Sequence, residues 1–211
     1  RAVCGQVHRG VSTTNDVGCS VQHVEIAVGV EKIRRSHRQC GTANDVACSQ
    51  PGTPTVAKAA QSAVQVSATQ WKLTYTVTVT NTSGKTLAYT ASDTPAALPA
   101  NVTGSGWTAT GPTVTGGGSG ALTAGWTGGA GHTELATGLI PNGATHVYTV
   151  TTTVTLGTSV NPADLVCSEA SPTKGFWNTA SVTNGIGGND SSACTSVTPP
   201  KVSIVKSDAT V

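Results

Sequence analysis

From Trp71 to Thr80 the chain alternates apolar and polar residues without a break. Trp71, Leu73, Tyr75, Val77 and Val79 fall on one side, and Lys72, Thr74, Thr76, Thr78 and Thr80 on the other. A period of two over this length predicts a strand with one face in a core and the other in water. A helix is excluded here, because its apolar stripe would recur every three or four residues. The turn Asn81-Thr82-Ser83-Gly84 follows, and then a second strand whose inner row is Leu87, Tyr89, Ala91 and Asp93. A carboxylate therefore continues an apolar row, and the functional reading starts from what tolerates it there.

Composition extends the strand argument to the whole chain. Charged residues make up 10% and aromatics 4%, Met is absent, and Thr, Val, Ala, Ser and Gly form the bulk. Such a chain favours strands and turns over helices. Its core must use small β-branched residues, which bury less apolar area than Leu or Phe, so covalent support is expected. Six cysteines are present, Cys4, Cys19, Cys40, Cys48, Cys167 and Cys194, with no CxxC pair. Zinc sites usually show close pairs, so disulfides are the reading, and with them an oxidising, extracellular setting. No signal peptide and no membrane-spanning run is present, and the chain opens at Arg1 without Met, which reads as a processed product or excised fragment. The net charge is +2 and the basic run Lys32-Ile33-Arg34-Arg35-Ser36-His37-Arg38 lacks interleaved aromatics, so it is read as a solvated loop and not as a nucleic-acid site.

A short pattern divides the chain. Asn15-Asp16-Val17-Gly18-Cys19, Asn44-Asp45-Val46-Ala47-Cys48 and Asn189-Asp190-Ser191-Ser192-Ala193-Cys194 are each followed by a strand-like segment that contains Lys, ending at Lys32, Lys58 and Lys206. Each reads as the last strand of one unit followed by the first strand of the next. Residues 51–200 then form one immunoglobulin-like β-sandwich, for which about 150 residues suffice. Residues 1–50 read as a Cys-clipped extension, and residues 201–211 as a strand-like tail, either the start of a further repeat or a strand donated to a neighbour. Within the sandwich, strands are expected at Trp107–Thr115, at Ala121–Thr127 beyond the glycines 116–118, along His146–Leu156 after the turn Pro141-Asn142-Gly143, at Phe176–Thr183 and at Ala193–Val197.

Three polar residues fit inward rows. Asn178 lies with Phe176, Ala180 and Val182; Lys58 lies with Val56 and Ala60, a face that Ala57 and Ala59 leave ambiguous; Asp93 ends the Leu87 row. Burying an unpaired charge costs several kcal/mol as an order of magnitude, and three such groups meeting would explain one another. In an apolar site a Lys releases its proton more readily and an Asp holds its own more tightly. A neutral Lys58 amine is then a nucleophile for the Asn178 side-chain carbonyl, with Asp93 carrying protons and ammonia leaving. The product is an intramolecular isopeptide bond, made once per molecule without turnover. The competing reading has Lys58 extending to solvent, Asn178 capping a backbone group and Asp93 closing a turn before Pro95. Glu134 is the alternative acid, on the side opposite Leu135 and read as solvated.

The segments YTVTVTNTSGKTL, SDTPAALPANV, GLIPNGATHVYTVTTTV and FWNTASVTN resemble the "conserved repeat" domain of bacterial surface proteins, domain of unknown function eleven. The likeness runs from Thr53 to Thr198, and departs from the family at Asp93-Thr94-Pro95, which lacks the usual Leu. It implies an immunoglobulin-like stalk module of adhesins, pili and filaments. It also implies a Cys167–Cys194 disulfide, from CSEASPTKGFWNTASV and SSAC. In related collagen-adhesin-like modules that carry cross-links, Lys comes from the first strand, the acid from a middle one and Asn from the last, as with Lys58, Asp93 and Asn178.

The expectation is therefore a non-enzymatic, extracellular structural module that associates with itself or with neighbouring repeats. No cofactor, metal site, nucleic-acid partner or membrane span is expected. The alternative is a carbohydrate- or surface-binding module that stacks sugars on Trp107, Trp126 and Trp177, with Trp71 assigned to the core. Asn81, Asn101 and Asn189 begin N-x-S/T sequons.

Overall fold

The computed structural model describes residues 19–28, 31–40 and 52–200, with side chains over 52–200. The chain divides into two units, Arg1–Pro51 and Gly52–Val211. In the first, strands β1 (Cys19–Val28) and β2 (Glu31–Cys40) pair antiparallel, with Cys19 opposite Cys40. The basic run 32–38 lies in β2 rather than in a loop. The roles expected of Cys4, Cys48 and the tail 201–211 lie outside the described residues, as do the side chains of Cys19 and Cys40.

The second unit is all-β, with two antiparallel sheets face to face. Its strands are β3 (Thr55–Gln65), β4 (Gln70–Thr80), β5 (Leu87–Pro95), β6 (Val102–Thr115), β7 (Ser119–Leu122), β8 (Glu134–Ile140), β9 (Thr145–Leu156), β10 (Phe176–Thr183) and β11 (Gly188–Thr195). One sheet runs β3-β4-β9-β6 and the other β11-β10-β5-β8-β7. The alternation read in β4 is realised in full: Trp71, Leu73, Tyr75, Val77 and Val79 are buried. His146, Tyr148, Val150, Val154 and Leu156 of β9 join them, with Thr152 on the same row. The opposing face supplies Tyr89, Ala91, Ile140, Phe176, Ala180 and Val182. The core is thus one apolar layer between two sheets, the arrangement that period-two patterning on both sides demands.

Several boundaries differ from the sequence expectation. The strand expected at 121–127 is the four-residue β7, because Thr123 onward turns back: Trp126 N–H donates to Thr123 O and Gly128 N–H to His132 O. Strand β6 begins five residues earlier than expected, at Val102, and β11 spans Gly188–Thr195 rather than 193–197. Strand β8 has no alternating signal because a bulge puts both Leu135 and Ala136 inside.

Several polar groups within the core are paired. Tyr148 and Tyr89 hydroxyls lie 2.6 Å apart, and Tyr89 reaches His146 Nδ1 at 2.8 Å. His146 Nε2 donates to Gly117 O at 3.1 Å, so Nδ1 accepts from Tyr89 and Tyr89 accepts from Tyr148. Gly120 makes room for this chain, since a Cβ there would sit 2.5 Å from the Tyr148 hydroxyl. At the rim where β3 meets β11, Asn189 receives the Val56 N–H on Oδ1 at 2.7 Å and returns Nδ2 to Val56 O at 3.0 Å. Ser191 Oγ takes the Lys58 N–H at 3.0 Å.

Candidate functional site

Strand β3 lies at one edge of its sheet and alternates over its first half: Val56 and Lys58 are buried, while Thr55, Ala57 and Ala59 are exposed. Val56, Lys58 and Ala60 pair with the inward residues Val79, Val77 and Tyr75 of β4, and the register shifts only beyond Ala60, which is exposed at the sheet edge. This settles a sidedness that a run of alanines left open, and aims Lys58 across the sandwich. On the facing sheet β5 and β10 are neighbours, with Ala180 opposite Asp93 and Asn178 opposite Pro95. Asp93 and Asn178 are therefore diagonal neighbours on one inner face, within side-chain reach.

The three groups meet. Lys58 Nζ pairs with Asp93 Oδ1, and neither side chain has exposed surface. Asn178 Nδ2 donates to Asp93 Oδ2 at 3.1 Å, and Asn178 is fully buried. Asp93 thus bridges an amine and an amide. Asn178 Oδ1 has no hydrogen-bond partner, so its buried carbonyl dipole is uncompensated.

Environment pushes both ionisable groups toward neutrality. Burial lowers the Lys58 pKa from its ordinary 10.5, against the opposing pull of Asp93. Burial likewise raises Asp93 from its ordinary 3.8, opposed by Lys58 and by the hydrogen bond from Asn178. Moving the proton from amine to carboxylate removes two buried charges together and leaves a nucleophilic amine beside an acid.

Two aromatic residues frame the cluster in roles the sequence reading did not assign. Tyr75, opposite Ala60 on β4, places its ring 5.3 Å below Lys58 Nζ and donates its hydroxyl to Phe176 O at 2.5 Å. Burial raises this phenol to about 12. Trp126 donates Nε1–H to Asp93 O at 3.2 Å, and Asp93 N–H donates to Thr133 O at 2.8 Å, so the 123–133 segment holds the acid's backbone from both sides. The sequence clue for Tyr75 was its place on an inward row near Lys58; Trp126 in its glycine-rich surroundings carried none.

The remaining candidates fall elsewhere. Glu134 is exposed and accepts from Thr123 Oγ1 at 3.0 Å, away from Lys58. Trp107, Trp126 and Trp177 are each half-buried. Trp107 packs against Tyr75 with ring centroids 5.9 Å apart, and Trp177 donates Nε1–H to Lys174 O at 2.9 Å. Cys167 and Cys194 form a disulfide with Cα atoms 5.9 Å apart. Among the sequon residues, Asn81 is buried with Nδ2 donating to Lys85 O and Ile140 O, so its nitrogen is engaged in the fold. Asn101 is exposed, in a left-handed conformation with φ 60°. Among the described residues no cluster of His, Cys, Asp or Glu is placed to hold a metal ion, and no helix is long and apolar enough to cross a membrane.

Compared with family models, with curated proteins and with solved structures, the chain finds no match in any of the three.

Proposed function

We propose that the Gly52–Pro200 unit is an extracellular structural module, a stalk or fibre segment of a bacterial surface protein, stiffened by an internal Lys58–Asn178 isopeptide bond. The observation that carries this reading is the buried bridge of Asp93 between the Lys58 amine and the Asn178 amide. A carboxylate, an ammonium and an amide with an unpartnered carbonyl are a poor way to stabilise a thin core. They are a good way to make an amide. Lys58 passes a proton to Asp93, and the neutral amine attacks Asn178 Cγ. A half-turn about Cβ–Cγ lets the protonated acid polarise Oδ1, and the departing nitrogen takes up the proton lost from Nζ. The Nζ–Cγ bond forms, Cγ–Nδ2 breaks, ammonia leaves and Asp93 keeps its proton. Three groups locked in a packed core have the effective concentration for this without an outside catalyst.

The bond would join β3, the first strand of the unit, to β10 near its end. Tension applied at the ends of the unit would then run through covalent bonds instead of unzipping the sheets. This suits the immunoglobulin-like stalk modules that the sequence resembles. The Cys167–Cys194 disulfide supports an oxidising, extracellular location. The half-burial of Trp107, Trp126 and Trp177 reduces the ring area open to sugar stacking. Intact-mass measurement tests the proposal: the chain should weigh one ammonia less than its sequence with disulfides counted, and Lys58→Ala should restore the full mass. A full mass in the unaltered chain would rule out the cross-link.

A further inference from the structure

We propose that the Cys167–Cys194 disulfide is the positioning element that sets Asn178 for attack, so that amide formation follows oxidation of the chain; this rests on the reading of Lys58, Asp93 and Asn178 above. Asn178 is the third residue of β10, and its place depends on how the chain enters that strand. The lead-in, residues 167–175, is the loop CSEASPTKG, held to itself by tight turns from Ser171 N–H to Ser168 O and from Lys174 N–H to Ser171 O. On its other side β10 pairs with β11, where Trp177 lies opposite Cys194 and Asn178 opposite Ala193. The disulfide therefore ties the start of the loop to a point one residue from the partner of Asn178.

The bond is also in contact with the backbone it steers. Gly175 precedes β10 directly and has φ +74°; a Cβ there would lie 2.6 Å from Cys194 Sγ and 2.8 Å from Cys167 Sγ. The backbone thus packs on the two sulfurs, and only glycine fits. Around the same segment run hydrogen bonds from Trp177 Nε1 to Lys174 O, from the Tyr75 hydroxyl to Phe176 O and from Ala96 N–H to Trp177 O. The disulfide is the covalent member of this collar. With the thiols reduced, the loop is held against the end of β11 only by hydrogen bonds such as Cys167 N–H to Ser196 Oγ and Val197 N–H to Leu165 O. A misplacement of about 1 Å at reacting atoms costs on the order of a hundredfold in rate.

The two reactions balance separately. Disulfide formation passes two electrons and two protons from Cys167 and Cys194 to a disulfide oxidant such as oxidised glutathione. The amide exchange releases ammonia and is redox-neutral. Under reducing conditions Lys58 and Asn178 stay unjoined and the chain remains able to unfold. Oxidation then fixes Asn178 and the bond closes.

The test uses the full chain synthesised into denaturant, so that it carries neither bond. It is refolded by dilution into dithiothreitol or into oxidised glutathione, beside a Cys167→Ser/Cys194→Ser variant refolded under oxidant. Tryptophan fluorescence reports folding, and timed, alkylated aliquots are weighed intact. Ammonia loss should be about tenfold or more slower in the reduced and double-Ser samples, per folded molecule, than in the oxidised chain. Reducing the chain after ammonia has left should not reverse the bond. In the oxidised chain itself, peptide mapping should find no accumulating species that has lost ammonia while Cys167 and Cys194 are still alkylated; this arm holds even where the variant fails to fold. Equal rates, or accumulation of that species, would overturn the disulfide's role and leave the cross-link standing. No ammonia loss in any arm would remove the reading beneath it.

Discussion

Replacing Lys58 by Met keeps an unbranched stem in the core and removes the amine. Two losses should follow, and a second substitution separates them. The first is the cross-link, which would close a loop of roughly 120 residues between Lys58 and Asn178; chain-entropy arithmetic assigns such a loop about 5 kcal/mol. The second is Asp93, left buried and without its amine. Its carboxyl adapts by holding a proton, so we expect about 1–3 kcal/mol, below the usual cost of an orphaned ion. For a unit of about 150 residues, 1 kcal/mol corresponds to about 3 °C in Tm. Lys58→Met should therefore melt about 20 °C below the unaltered chain. Lys58→Met/Asp93→Leu should regain the part due to the buried acid and remain about 15 °C below. The assay is calorimetry on samples whose intact mass has been measured. An unaltered chain that has lost ammonia yet melts within a few degrees of the double variant would refute the argument that closing this loop is what stabilises the unit.

Other substitutions probe the frame of the site. Tyr75→Phe leaves the Phe176 carbonyl without its hydroxyl donor and should cost about 1–3 kcal/mol in urea unfolding, while keeping the ring beneath Lys58. Asn189→Ala removes both bonds to Val56 and should cost about 1–2 kcal/mol by the same measurement; an unchanged midpoint would mean that water replaces them. The pH dependence of Lys58→Met has a definite sign. Burial raises the Asp93 pKa above 3.8, so the folded state holds a proton that the unfolded chain releases. Its contribution is intact below pH 3.8 and is lost as pH climbs from there through the folded-state value. The stability gap between Lys58→Met and Lys58→Met/Asp93→Leu should widen from about pH 4 upward in parallel urea titrations, and a gap that narrows would contradict the assignment.

The sequence was most legible where one face of a strand meets the core. In β4, β9 and β10 burial alternates without a break, so it follows from parity alone, and Asp93 of β5 and Asn178 of β10 were visible as polar intruders in apolar rows. Lys58 was harder, since alanines on both sides fit either face; its pairing opposite inward Val77 of β4, which no local pattern encodes, puts it on the inner row. Strand β8 escaped notice because Leu135 and Ala136 both point inward, which breaks the period. The bond from Trp126 to Asp93 joins segments 33 residues apart through a backbone carbonyl, a partnership that no local pattern encodes. Asn189 was noticed as part of a recurring Asn-Asp motif and as a sequon, and its grip on Val56 depends on which strands meet at the rim.

That grip has a consequence for the first strand. A β-strand that slides by one residue turns every side chain to the opposite face, and the alanine-rich β3 has little apolar bulk to resist such a slide. Asn189 recognises the amide and the carbonyl of a single residue, Val56, in the manner of a peptide group fixed at one address. With Val56 so indexed, position 58 faces the interior while 57 and 59 face solvent, and this carboxamide, beside the ladder to β4, helps deliver the lysine, and not an alanine, to Asp93.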